Sequence, residues 1–113
     1  MQPFKKPAYL IFIHVPFFWY SAMAIFPFVI IKEEKMKGDA LLLNHELIHH
    51  QQQLELAIVP FYLIYGIHYL INFIRFRNHD RAYREIIFER EAYQMDKDLN
   101  YLQRRKIFAF TKF

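Results

Sequence analysis

The segment Asn44-His-Glu-Leu-Ile-His-His50 packs three of the chain's six histidines and a glutamate into seven residues. On a helix, His45 and His49 stand one turn apart on one face, where two imidazoles can reach the same tetrahedral cation. Neutral nitrogen donors suit Zn²⁺. Glu46 points beside that pair rather than into it, which places it next to a water on the metal. Zinc lowers the pKa of such a water to about 7, and a nearby carboxylate can take its proton as it attacks a carbonyl. A His-Glu-x-x-His string arises by chance in a chain of this composition with a frequency of about 0.02. The chain has no cysteine, so a metal must be held by histidines and carboxylates.

Other metal chemistries use the same residues less well. His45-x-x-x-His49-His50 resembles one histidine box of the di-iron membrane desaturases, but that site needs further boxes, and His14, His68 and His79 are isolated. Glu46-x-x-His49 is half of a ferritin-like di-iron motif, which requires a second Glu-x-x-His that the chain lacks.

A catalytic zinc takes three protein ligands and keeps one position open. The third ligand is sought in Phe88-Glu-Arg-Glu-Ala-Tyr-Gln-Met-Asp-Lys-Asp98. Glu89 and Glu91 lie about 200° apart around a helix, so only one of them can face the metal. A solvated face of alternating Glu and Arg is the plainer account of this segment. His45-Glu-Leu-Ile-His49 followed by Glu89-Arg-Glu-Ala92 resembles the gluzincin pattern, HExxH plus ExxA, of the CAAX prenyl-protease and heat-shock-induced membrane peptidases. The stretch from Asn44 onward also resembles small bacterial proteins described as membrane metallopeptidases. The resemblance implies His45, His49 and Glu89 as zinc ligands, Glu46 as general base, and Glu91 as the alternative ligand. Where that family commonly places Asp after the Ala, this chain has Tyr93. Tyr93 and Asp96 share a helical face with Glu89, so either can support a ligating histidine. His79 and Tyr83 are candidates for stabilising charge in the transition state. His50 suits a hydrogen bond or substrate contact, His68 a buried structural role, and Gln53 continues the His45/His49 face. No Ser-His-Asp pairing or glycine-rich phosphate loop is present.

The elements that must position these residues follow from patterning. Hydrophobic residues make up 55% of the 113, with only two glycines, which favours a single mainly helical domain. Ala8–Ile31 is uncharged and long enough to span a bilayer. Pro16 and Pro27 also allow two extended segments, Tyr9–His14 and Ala22–Ile31, forming a hairpin or edge strand beside the site. In gluzincins such a strand binds extended peptide. The charged loop Lys32–Asp39 leads to a helix over 40–59 with Asp39 as N-cap, ended by Pro60. An apolar aromatic helix follows over 60–77, either in contact with a membrane or buried. A charged helix over about 80–106 carries the third ligand. Lys5 and Lys6 before the apolar run, and Arg75, Arg77, Arg81 and Arg84 after it, suit an anionic membrane surface rather than nucleic acid.

These features predict a compact helical zinc peptidase on a bacterial inner membrane, acting on a peptide or protein. The alternative is a non-catalytic membrane-associated helical protein whose His/Glu cluster is structural or binds metal without turnover.

Overall fold

The structure is a computed structural model and describes residues 6–113. Lys5, one of the basic residues before the first apolar run, lies outside the described residues. The uncharged N-terminal run forms strands, because prolines interrupt it and β-branched and aromatic side chains fill the intervals. β1 (Ile11–His14), β2 (Ala22–Ile25) and β3 (Phe28–Ile31) make one sheet in the order β1-β3-β2. β2 and β3 pair antiparallel across a turn at Phe26–Pro27, with Ala24 opposite Val29, and β1 runs parallel to β3. The expected extended segment over Ala22–Ile31 is therefore two strands folded back on each other. Ala24, Val29 and Ile31 are buried, whereas Ile11 and Ile13 of β1 remain exposed.

A 3-10 turn at Glu34–Gly38 leads to Asp39, whose carboxylate accepts the Leu42 N–H at 3.1 Å and caps α1 (Ala40–Leu56). Pro60 does not end this helix. The chain turns at Ala57, which adopts φ 66° and ψ 155°, a conformation disfavoured for any residue with a Cβ. Pro60 instead sits in the first turn of α2 (Ile58–Phe76), where its missing N–H has no intrahelical partner to lose. Arg77 closes α2 in the left-handed conformation, its N–H donating to Phe73 O.

The charged C-terminal helix expected over 80–106 is broken into three: α3 (His79–Arg84), α4 (Ile87–Met95) and α5 (Tyr101–Arg104). The physical reason lies at Ile86, which is extended and completely buried. A continuous helix would not turn Ile86 and Phe88 together onto Phe61 and Phe110, the main apolar cluster. Burying a Phe or Ile side chain contributes about 1.5–3 kcal/mol, more than the few helical hydrogen bonds forgone at about 1 kcal/mol each. Asn72 of α2 donates to Ala82 O and ties α3 against it. A second cluster, Ile48, Ala92 and Tyr101, joins α1 to α4 and α5.

Two helices depart from the usual amphipathic plan. Ten residues of α1 are buried, from Leu43 to His50 plus Gln52 and Gln53, so most of its circumference is covered. Among α2's residues only Phe61 and Asn72 are buried, while Leu63, Ile67, Leu70, Ile71 and Ile74 lie open. α2 is long and apolar enough to cross a membrane.

Candidate metal centre

Three buried amides dock α1 onto its neighbours. Asn44 Nδ2 donates to Asp96 O at 2.8 Å and Asp98 O at 3.0 Å, fixing the chain that leaves α4. Gln52 Nε2 donates to Phe88 O at 3.1 Å and to Glu91 Oε1 at 2.9 Å. Gln53 reaches the opposite way, to β2. With α4 held in this register, Glu89 faces the same side of α1 as His45 and His49.

Glu89 Oε1 lies 3.1 Å from His45 Nε2 and 3.0 Å from His49 Nε2. Its other oxygen accepts from the Tyr65 hydroxyl at 2.6 Å. Each imidazole is also held at Nδ1, His45 by Asp96 Oδ2 at 3.1 Å and His49 by Gln52 Oε1 at 2.8 Å. The Gln52 amide orientation is fixed by the two acceptors on its nitrogen. Both Nδ1 atoms therefore donate, and in the neutral rings both Nε2 atoms carry lone pairs. Two lone pairs then face a carboxylate oxygen, which requires protons or a cation between them. A tetrahedral ion with bonds of about 2.0–2.1 Å sets its donor atoms about 3.3 Å apart, close to the separations here. His45, His49 and Glu89 form a buried group that can hold a metal ion.

The electrostatics follow from this geometry. Burial alone would lower the His49 pKa, but the charge and hydrogen bond of Glu89 outweigh it and lift it to about 9. Burial works against ionisation of Glu89 too, yet the His49 and His45 contacts hold its carboxyl well below the usual range. Glu46 is pushed up by burial, with the two histidines opposing that rise.

Glu46 lines two adjoining cavities, of about 110 Å³ and about 400 Å³, which share Tyr20, Ala22, Glu46 and Tyr83. His49 and Glu89 line the smaller, His45 the larger. Tyr83 stacks on Tyr20 with ring centroids 6.2 Å apart. Tyr93 packs edge-on against the His45 ring at 4.6 Å, so Tyr93 and Asp96 both contact that imidazole.

The remaining candidates lie elsewhere. Glu91 is fully buried on the far side of α4, gripped by Arg105 at 2.5 and 3.0 Å and by the Tyr101 hydroxyl at 2.6 Å. It is not brought to the cluster, and neither glutamate lies on a solvated face. Arg105 also pairs with Glu55 at 2.7 and 3.1 Å. His79 pairs with the Tyr69 hydroxyl at 2.7 Å and lines neither cavity. His50 Nε2 donates to Phe28 O at 2.9 Å, and His68 Nδ1 accepts the Ile87 N–H at the start of α4. Sequence reasoning missed Gln52, Tyr65 and Arg105. Only Gln52 left a signal, three residues after His49, where a helix brings its amide back to that ring. The chain matches no family model, and no curated protein or solved structure is significantly similar to it.

Proposed function

We propose that this chain is a zinc-dependent, membrane-associated peptidase of gluzincin type. The observation that carries the reading is the convergence of two Nδ1-anchored imidazoles on Glu89, with Glu46 beside them where two cavities meet. Two buried nitrogens and one carboxylate oxygen suit zinc better than magnesium or calcium, which favour all-oxygen sites. The Glu89-Arg-Glu-Ala92 register of the gluzincin pattern supports the same ligand set.

A zinc ion in this site supplies a Lewis acid and an acidified water. Glu46 takes a proton from the attacking water as its oxygen bonds to the carbonyl carbon, then passes that proton to the leaving nitrogen as the C–N bond breaks. Burial suits Glu46 to this exchange, because its raised pKa brings it nearer the groups it trades with. Tyr83 keeps its phenolic proton, since burial and the nearby Glu89 charge push its pKa up, so its hydroxyl can donate to an oxygen gaining charge. Asp96 and Gln52 hold the two rings in the tautomer that leaves Nε2 for the metal.

Membrane association rests on α2. Its outward face is apolar, and Arg75, Arg77, Arg81 and Arg84 are exposed at its C-terminal end and on α3, suited to anionic headgroups.

The second reading, metal binding without turnover, is favoured by the burial of the group: His45, Glu46, His49 and Glu89 are each at most 7% exposed. Glu46→Gln separates the two. On the peptidase reading it keeps zinc and loses about 10²–10⁴-fold in peptide hydrolysis. Full activity with zinc retained would remove Glu46 from the chemistry, and inactivity of the zinc-loaded parent would leave only metal binding.

A further inference from the structure

The cleft beside the metal centre is a wedge. α1 and β2 run in the same direction and meet at one end, where Gln53 Oε1 accepts the Phe26 N–H at 2.7 Å and Gln53 Nε2 donates to Ala24 O at 2.8 Å. The Tyr62 hydroxyl of α2 donates to the same carbonyl. The outer edge of β2 is thus already paired from Ala24 onward, by side chains standing where another strand would lie. Backbone groups alternate along a strand, so Ala22 presents its N–H and C=O outward as Ala24 and Phe26 do. Among the described residues, Ala22 is therefore the free step on that edge within β2, and it lines both cavities. Beyond it, toward Ser21 and Asp39, the wedge opens into the cavity of about 400 Å³. Toward Gln53 it narrows to the cavity of about 110 Å³, walled by Met23, Ala24, Phe61, Tyr62 and Tyr65.

An extended chain lying over the cluster can leave through the open end, while the narrow end holds a single residue. For comparison, an apolar cavity of about 150 Å³ admits benzene. That residue must be a chain terminus, and the lining determines which one. Among the described residues no Lys or Arg lines the small cavity, and its one histidine, His49, is taken up by the metal on the peptidase reading, so a terminal carboxylate finds no free cationic side chain there. The faces of the Phe61, Tyr62 and Tyr65 rings suit an ammonium group instead. An amino-terminal residue in the narrow end also runs the peptide antiparallel to β2, the more stable pairing.

We infer that the site is that of an aminopeptidase, taking an unblocked peptide whose first residue is apolar and releasing that residue alone. The inference rests on the peptidase reading and adds to it the closed end of the wedge.

Two measurements on the zinc-loaded protein test it. The first offers a leucine-initiated pentapeptide with a free or an acetylated amino terminus, with products identified by mass spectrometry. The second compares binding of leucine hydroxamate and N-acetyl-leucine hydroxamate by calorimetry. The free peptide is expected to shorten from its first residue, and acetylation to cost about 10–30-fold in both cutting and binding, the value of a desolvated ammonium against aromatic faces. Internal cutting of the acetylated peptide at the rate of the free one, or equal hydroxamate affinities, overturns the inference and leaves a peptidase. Failure to cut any member of a mixed peptide library overturns both.

Discussion

Metal affinity in this site depends on pH in a way that can be worked out from the cluster. Without metal, Glu89 holds His49 protonated up to about pH 9. An ion that binds His49 Nε2 must displace that proton. At pH 7 about one ring in a hundred is neutral, so the apparent affinity is about 100-fold weaker than on the plateau well above pH 9, or about 3 kcal/mol. The affinity should climb about tenfold per pH unit from 7 to 9 and then level off, with about one proton released per zinc at pH 7. Competition against a chromophoric chelator over this range measures the climb, and calorimetry in buffers of different ionisation enthalpy counts the proton. Glu89→Gln provides the control. It removes the main charge that raises His49, so the climb should flatten, and the lost ligand should weaken binding above about pH 9, where the parent is no longer limited by that proton. The metal-free fold responds in the opposite sense. The raised His49 pKa stabilises it fully below about pH 6.5, and that contribution is lost as pH rises through about 9. The depressed Glu89 pKa contributes above the ordinary carboxylate range and is lost in acid. A flat affinity between pH 7 and 9 in the unmutated protein, with no proton released, would refute the arrangement of His49 and Glu89 described here.

Further outcomes follow from individual contacts. Asp96→Ala frees His45 Nδ1 and should lower zinc affinity about 10–100-fold in the same competition assay, without removing a ligand. Arg105→Ala leaves Glu55 and Glu91 facing each other without their shared cation, and should cost about 3–5 kcal/mol in urea unfolding. The protein should co-float with vesicles containing phosphatidylserine, and Leu63→Lys with Ile67→Lys should abolish that by placing charge on the open face of α2.

The part of the fold legible in the sequence is the part set by local pattern. Asp39 before a helical run announces α1, and the prolines in the charge-free first stretch admit extended segments there as well as a bilayer span. His45 and His49 at helical spacing announce a shared face, and the structure brings Glu89 to it from forty residues away. What local pattern cannot carry is where one element stops because another needs the space. Pro60 reads as a helix end, yet its place in a first turn makes it harmless, and Ala57 bends the chain instead. The 80–106 stretch has helical periodicity throughout, but burying Ile86 beside Phe88 and Phe110 outweighs continuity. Gln53 looks like more of a polar helix face. Its task became visible only when β2 lay alongside, because the groups it pairs with are backbone atoms, which carry no sequence signature.

Seven of the ten buried residues of α1 are polar: Asn44, His45, Glu46, His49, His50, Gln52 and Gln53. A mutational screen along this helix will therefore meet an inverted surface. In most domains polar positions tolerate exchange and apolar ones resist it. Here truncation at nearly any polar position leaves a stranded partner in the interior, so alanine scanning reports on survival of the fold at sites chosen for their chemistry. Only shape-preserving exchanges, amide for carboxylate or one amide for another, put a chemical question to α1 and leave the rest of the molecule able to answer.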